Sequence, residues 1–404
     1  MMERQPIRPA IRLLHLDVLR GFALFGILLV NFEWFTRSTQ AMLLGSATDM
    51  GGLDGLAARS IVWLAESKFF PLFSMLFGMG FALMMDRAQA AGRPFVGTYV
   101  RRLLALAVFG LCHIAFVWSG DILFMYALIA FLMLLFFRKT PTRRLYKWAI
   151  ACWLFPLIVT AGFAAMSSLL PEDHEVRLET VEAMQAGYEA LLVRIEYGER
   201  IHQHGSFPEN VGQRIRDFAV LSRELSFFWI PMVLGYFLFG RWLLESGIMK
   251  NPEQHAARLR RWQVWGLAIG LPTALVADPL LREAHHMLPD GRLVLGLMLY
   301  LGASIALSLA YLAIVTRHAE RLWFLAPAGR MALTHYLLQS LFWITIFYGY
   351  GFGAWGRIPR AMQVLLTLIF FAAQVGLSHV WMKRHRYGPM EWVWRAMTHL
   401  RWPV

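Results

Sequence analysis

Long apolar blocks alternate along the chain with short joints rich in arginine. A helix needs about 20 mostly apolar residues to cross a bilayer. Ten blocks come close to that length: 16–35, 69–86, 102–118, 121–137, 147–168, 218–240, 262–281, 293–315, 331–350 and 361–381. The pattern predicts an all-α fold, a polytopic membrane helix bundle of about ten transmembrane helices. Residues 53–67 read as a helix lying along the surface, turning inward at Ser67-Lys68-Phe-Phe-Pro71. The 169–217 segment is the only large piece outside the apolar blocks. Its residues 175–204 carry Glu, Arg and His among Leu, Val, Ile and Tyr at helical spacing, so an amphipathic helix is expected there. The chain otherwise reads as a single membrane domain over 1–404, ending in a basic, Trp-rich segment over 383–404 that suits an interfacial helix.

The basic residues set the orientation. With the N-terminus in the cytoplasm and the chain alternating, cytoplasmic joints hold 25 of the 39 Lys and Arg residues, Arg4, Arg8 and Arg12 among them. Outer joints hold 12, and Arg20 and Arg223 fall within spans. This is the bias of the positive-inside rule. It predicts both termini inside and the 169–217 loop outside.

Composition agrees. Hydrophobic residues make up 58% of the chain and charged residues 16%, against about a quarter charged in soluble domains. The sixteen Trp suit membrane–water boundaries. On a soluble chain the net charge of +13 would suggest nucleic acid. Here the basic residues sit between apolar blocks, so topology and contact with anionic lipid are the expected roles, with no nucleic acid. Cys112 and Cys152 lie inside apolar blocks and are expected to be packing residues. The first block is followed by Asn31-Phe-Glu-Trp, not by a small-residue cleavage site, so it is expected to stay as the first span.

Ionisable groups inside spans are costly and mark functional sites by default. In the first span Asp17 and Arg20 are one turn apart and can pair. Arg20 and Asn31 share a helix face, about 16 Å apart along the axis, with the cation near the cytoplasm and the amide near the outside. The bland reading is an interfacial ion pair and a helix-packing amide. His113 lies roughly 7 Å below the outer end of its span, and Ser119-Gly120-Asp121 turns at once into the next. A neutral imidazole beside a carboxylate is a general-base arrangement, although His113 could equally be a packing group and Asp121 a helix cap. Further outer-half candidates are Glu33, Glu66, Lys68, Arg223, Glu224 and Asp278. His335, Gln339 and Ser340 lie in the inner half of the ninth span, after Gly329-Arg330. His285-His286 lacks the partners a metal needs. No HExxH, Cys-pair, Walker or GxSxG motif is present, and no metal is expected.

These motifs together resemble a known family. Leu16-Asp17-Val-Leu-Arg20-Gly21 through Asn31, Ser67-Lys68-Phe-Phe, His113 with Trp118-Ser-Gly-Asp121, Gly329-Arg330-Met-Ala-Leu-Thr-His335-Tyr, and Tyr387-Gly-Pro-Met-Glu391-Trp-Val-Trp-Arg395 are similar to the YeiB-like family of bacterial multi-span proteins. The first-span motif also resembles that of the heparan-glucosaminide N-acetyltransferases in the transmembrane acyltransferase superfamily. Those enzymes move an acyl group from cytoplasmic acyl-CoA to a sugar on the far side. Asp17, Arg20, Gly21 and Asn31 match that motif position by position. One departure stands out: the heparan enzymes have a catalytic His after the Asn, whereas residues 32–112 here contain no His. His113 is the best-placed substitute.

The resemblance implies a membrane O- or N-acyltransferase of the bacterial cytoplasmic (inner) membrane, with acyl-CoA as donor and a glycan or lipid as acceptor. In that reading His113 is the general base, Asp121 orients it, and Asn31 stabilises the oxyanion. Arg20 and Arg330, with Asp17, hold the donor's phosphates. The alternative is a transporter or flippase of an amphipathic substrate. Pro71, Pro156, Pro231 and Pro272 fall in apolar blocks, but matching halves are not visible in the sequence. An accessory protein is a third reading, and a homodimer is compatible with all three.

Overall fold

The computed structural model of the protein describes residues 13–171, 173–284 and 289–402. Arg4, Arg8, Arg12 and His285-His286 lie outside the described residues. Among those described the fold is entirely helical: α1 (Leu14–Trp34), α2 (Gly52–Leu64), α3 (Phe69–Ala90), α4 (Phe95–Phe116), α5 (Leu123–Leu132), α6 (Thr142–Leu169), α7 (Glu175–His204), α8 (Phe207–Glu245), α9 (Ala256–Ala284), α10 (Gly291–Arg317), α11 (Ala326–Arg330), α12 (Ala332–Phe347), α13 (Arg360–Arg384) and α14 (Pro389–His399). Eight helical segments are long and apolar enough to cross a membrane, and two shorter apolar helices, Leu123–Phe137 and Ala332–Phe347, join them. The protein is a polytopic helical membrane bundle.

Helix α1 lies at its centre, packed against α3, α10, α11, α12 and α13. That position explains why the first span carries polar groups at both ends: most of its surface meets protein, with Asp17 and Glu33 both buried. α1 and α11 touch backbone to backbone. A Cβ added to Gly329 would fall 1.9 Å from the Asp17 carbonyl oxygen, so only glycine fits there. Gly110 does the same for the α4–α5 pair, where a Cβ would meet the Phe124 nitrogen at 2.4 Å and Asp121 Oδ1 at 2.8 Å.

Two helices differ from the expected blocks. α5 continues through a π-helical turn, Met133–Phe137, into the next joint. The two together rise only about 22 Å, so the turn joining α4 to α5 stays inside the bundle, where Trp118, Ser119 and Asp121 are buried. α8 begins eleven residues before the expected start of its span. Its 39 residues reach about 58 Å, well beyond a hydrocarbon core of about 30 Å. Ser206 and Glu209 form a reciprocal capping box that starts the helix at Phe207, within the expected loop. The reason for the early start is a polar stripe, Asn210, Gln213, Arg214 and Asp217, at i, i+3, i+4 and i+7, buried under α7. Pro156, Pro231 and Pro272 sit inside continuous α6, α8 and α9.

The helix expected over 53–67 is α2, which together with α3 makes one of the eight long apolar segments, Gly52–Ala90, and the helix expected in the long loop is α7. The C-terminal segment, expected to be interfacial, forms α14, which is docked against the bundle. Glu391 accepts hydrogen bonds from the Leu333 and Thr334 nitrogens at 2.7 and 3.1 Å and from Thr334 Oγ1 at 2.6 Å. It thereby caps the first turn of α12 from another helix. Trp394 Nε1 donates to the Arg102 carbonyl at 2.9 Å, and the Arg102 guanidinium lies 3.5 Å over the same indole. Glu391→Ala removes this cap and is expected to cost about 1–2 kcal/mol of local stability. Faster hydrogen exchange confined to residues 389–399 and the start of α12 is the expected readout. Unchanged exchange in both segments would show that the cap contributes nothing.

Candidate active site

α4 ends at Phe116 and α5 begins at Leu123, with six residues between them, so His113 and Asp121 have little freedom to be far apart. The structure brings them together. His113 Nδ1 lies 2.9 Å from Asp121 Oδ2, and both residues are nearly sealed, at 2% and 6% exposure. Asp121 Oδ1 accepts the Phe124 N–H at 2.9 Å, so the carboxylate is fixed at both oxygens. A carboxylate only accepts, so Nδ1–H donates to it and Nε2 is left as the basic nitrogen. His113 Nε2 has no hydrogen-bond partner among the described residues, and neither has the nearby Trp118 Nε1. Tyr336 of α12 packs its ring 5.3 Å from the imidazole, and its hydroxyl accepts the Ile122 N–H at 3.3 Å. Trp118 closes the other side, at 6.4 Å. The product is a buried, oriented imidazole with one nitrogen unbonded among the described residues.

The other named candidates occupy the two ends of α1. Arg20 Nη1 and Asp17 Oδ1 pair at 2.7 Å, with the Arg20 side chain 30% exposed. Gly329 lies against the α1 backbone at Asp17 and Gly21, and the next residue, Arg330, donates through Nη2 to the Arg386 carbonyl at 3.2 Å. Arg102 is close enough to couple electrostatically to Arg20 and Arg395. One end of the bundle therefore concentrates guanidinium groups from α1, α4, α11 and α14. Asn31, near the far end of α1, is partly buried, and its side chain makes no hydrogen bond to His113 or Asp121.

The other outer-half candidates divide. Glu33 is buried and bonded by Arg37 at 2.6 Å, Arg360 at 2.7 Å and the Ala47 nitrogen at 2.9 Å. Glu66 accepts from Ser46 at 2.7 Å, and Lys68 donates to the Val62 carbonyl at 2.7 Å. Asp278 pairs with Arg282 at 2.9 Å. Arg223 and Glu224 bond only to each other, on the exposed face of α8. In the ninth span, His335 bonds Ser378 at 2.5 Å, and Gln339 donates to Gln374 at 2.9 Å, which ties α12 to α13. Both cysteines are free. Cys112 faces outward and is not an interior packing residue, because the neighbouring turn of α4 points His113 inward instead.

A second polar centre went unread in the sequence. Above the α4–α5 turn, Thr39 Oγ1 bonds Ser119 Oγ at 2.7 Å. Next to it, Gln40 and Gln213 both donate to Asp217 Oδ1 at 2.7 Å, and His202 Nδ1 bonds Asn210 at 2.8 Å. Arg214 donates to the Tyr350 hydroxyl among the rings of Phe207, Tyr348 and Tyr350. His202 Nε2 faces Asp217 Oδ2 at 3.5 Å, and Ser38 Oγ, Gln40 Oε1 and two nitrogens of Arg214 are buried there without hydrogen-bond partners among the described residues. The signal that could have revealed this centre is the i, i+3, i+4, i+7 polar stripe just before the sixth apolar block. Among the described residues no group of three or more His, Cys, Asp and Glu side chains is placed to hold a metal ion.

Residues 243–401, from the end of α8 through α14, match the family model described as "Protein of unknown function (DUF418)". Over 422 aligned residues the chain is 34% identical to the uncharacterized protein YxaH of Bacillus subtilis (strain 168), covering 100% of this chain and 98% of that one. It is 30% identical over 386 residues to an uncharacterized 39.9 kDa protein of the amylase 3' region of Bacillus acidopullulyticus, covering 96% and 93%. To the uncharacterized protein YeiB of Escherichia coli (strain K12) it is 27% identical over 394 residues, covering 95% of each. No solved structure matches the chain.

Proposed function

The chain belongs to the YeiB-like family of multi-span membrane proteins, and from that footing we propose that it is an acyltransferase working across the bacterial cytoplasmic membrane. In this reading acyl-CoA is the donor, entering from the arginine-rich end, and a glycan or lipid on the other side is the acceptor. The observation that carries it is the His113–Asp121 pair: a buried imidazole oriented through Nδ1, with Nε2 free of protein partners.

The step balances as follows. Nε2 of His113 takes the proton of the acceptor hydroxyl or amine as that atom attacks the thioester carbonyl. The new C–O or C–N bond forms and the C–S bond breaks. The proton then passes from the imidazolium to the leaving thiolate of CoA. Asp121 holds the imidazole in the required tautomer and stabilises its charge. The side-chain amide of Asn31 is assigned to the carbonyl oxygen as negative charge develops there. Arg20 and Arg330 meet the donor's phosphates, with Asp17 fixing Arg20. The hydroxyl, amide and guanidinium groups under α7 supply polar contacts along an acceptor's approach.

The test uses the purified full chain with radiolabelled acetyl-CoA and a cell-envelope extract as the acceptor pool. Label entering the envelope fraction together with release of free CoA thiol is the expected result. Uptake of a substrate into proteoliposomes without covalent change would favour a transporter and sink this reading. Removing one charge-assisted phosphate contact costs about 1.5–3 kcal/mol. Arg20→Ala is therefore expected to raise KM for acyl-CoA roughly 10- to 100-fold with kcat little changed. A fall in kcat at constant KM would remove Arg20 from the donor site.

A further inference from the structure

Apart from the candidate active site, one basic depression on the protein surface combines charge and shape. It lies where α9 begins and α10 ends, a cavity of about 580 Å³ lined by Arg260, Arg261, Val264, Trp265 and Arg317. Residues 260, 261, 264 and 265 share one face of α9 by helical spacing. Arg317 comes from the last turn of the antiparallel α10. Three guanidinium groups from two helices thus converge at one level, at the arginine-rich end of the bundle. Arg317 contacts Gln263. Among the described residues no carboxylate pairs with any of the three.

We infer that this cavity binds the headgroup of an anionic phospholipid, with its phosphate held by Arg260, Arg261 and Arg317. Two observations choose a lipid over a soluble anion. Trp265 is 62% exposed immediately beside the arginines, as an indole at a membrane interface is. From it an outward-facing apolar stripe, with Ile269 and Val276, runs on along α9 into the span. A ligand with a phosphate head and acyl tails meets both parts at once: the head takes the guanidinium fork geometry, and a tail follows the stripe. The inference is independent of acyl transfer, because none of these residues touches the His113–Asp121 pair or the Arg20–Arg330 end of α1.

Native mass spectrometry and thermal unfolding of the full chain in detergent test it, with dioleoyl phosphatidylglycerol, dioleoyl phosphatidylcholine and inorganic phosphate as probes. Phosphatidylglycerol is expected to bind and stabilise, and phosphatidylcholine and phosphate are not. Each arginine near an anionic headgroup contributes about a factor of five. The triple variant Arg260→Gln/Arg261→Gln/Arg317→Gln is thus expected to bind phosphatidylglycerol roughly a hundredfold more weakly. If this variant fails to fold, the single Arg317→Gln, expected to lose about fivefold, reads the same contact. Arg143→Gln/Arg144→Gln, in the separate basic depression beside Lys147, is expected to leave the affinity unchanged. Equal weakening by that control would show diffuse surface charge and overturn the site. Unchanged binding in the arginine variants would overturn it as well. Equal stabilisation by inorganic phosphate would replace the lipid with a soluble anion, and equal stabilisation by phosphatidylcholine would remove any preference for charge.

Discussion

In the proposed acyltransferase, His113→Ala is expected to lower acyl transfer by roughly 10²- to 10⁴-fold, the range for loss of a positioned general base, while the bundle stays folded. The bundle tolerates the change because His113 makes one side-chain hydrogen bond, to an aspartate whose other oxygen is already held by the Phe124 nitrogen. Nε2 has no hydrogen-bond partner among the described residues, so its removal strands no other polar group, and the cost in stability is that of the imidazole's packing against Tyr336. Asp121→Asn tests the orienting role. An amide in place of the carboxylate no longer holds Nδ1–H, so the other tautomer gains and Nε2 ceases to be the base. The expected signature is a lower kcat with KM for acyl-CoA unchanged, and a displaced pH–rate profile. A His113→Ala protein that transfers at the parental rate would place the base elsewhere. Global loss of helicity in that variant would make the residue structural.

The largest expected effect on stability lies at the C-terminal end of α1. Glu33 and Arg360 meet at 2.7 Å with both side chains at 5% exposure or less, joined by Arg37 and Gln363. Removing one partner of a buried pair costs about 3–5 kcal/mol when the other charge is left uncompensated. Arg37 still compensates Glu33 in Arg360→Leu, so that variant is expected to destabilise the protein by about 1.5–3 kcal/mol, the worth of one charge-assisted hydrogen bond. It leaves Glu33 with Arg37 and one backbone N–H. Glu33→Gln combined with Arg360→Leu removes both charges and is expected to recover much of the loss. Unfolding in mixed detergent, followed by circular dichroism, measures the cycle. Equal stability of the single variant and the parent would show that the pair contributes nothing net.

What the sequence made legible follows from how local each feature is. Apolar length places the helices, because crossing lipid demands about 20 residues in one run. The His113–Asp121 pair is legible because a six-residue turn cannot carry its two ends apart. The Asp17–Arg20 pair is legible because it lies within one helical turn. What was not legible joins distant parts of the chain. Glu33 stood out as a buried-span carboxylate, but its partner Arg360 is 327 residues away, in a joint that reads as solvent-exposed. Gln40 and Asp217 are 177 residues apart, and their meeting depends on how α7 folds back over the bundle. Glu391 reads as part of a surface helix, and its role as a cap exists only because the first turn of α12 comes to rest beside it. Short-range spacing carries the pairs made within a turn or a hairpin, and tertiary docking alone makes the rest.

The central claim is that a base near the outer side serves a donor held on the inner side. It is tested most directly in sealed proteoliposomes of known orientation. Acyl-CoA is supplied only to the side bearing the Arg20–Arg330 end, and the envelope acceptor only to the side bearing α7. The account predicts free CoA on the first side and acylated acceptor on the second, both abolished by His113→Ala. Acylation only when donor and acceptor share one side, or movement of a substrate with no bond made or broken, would contradict it.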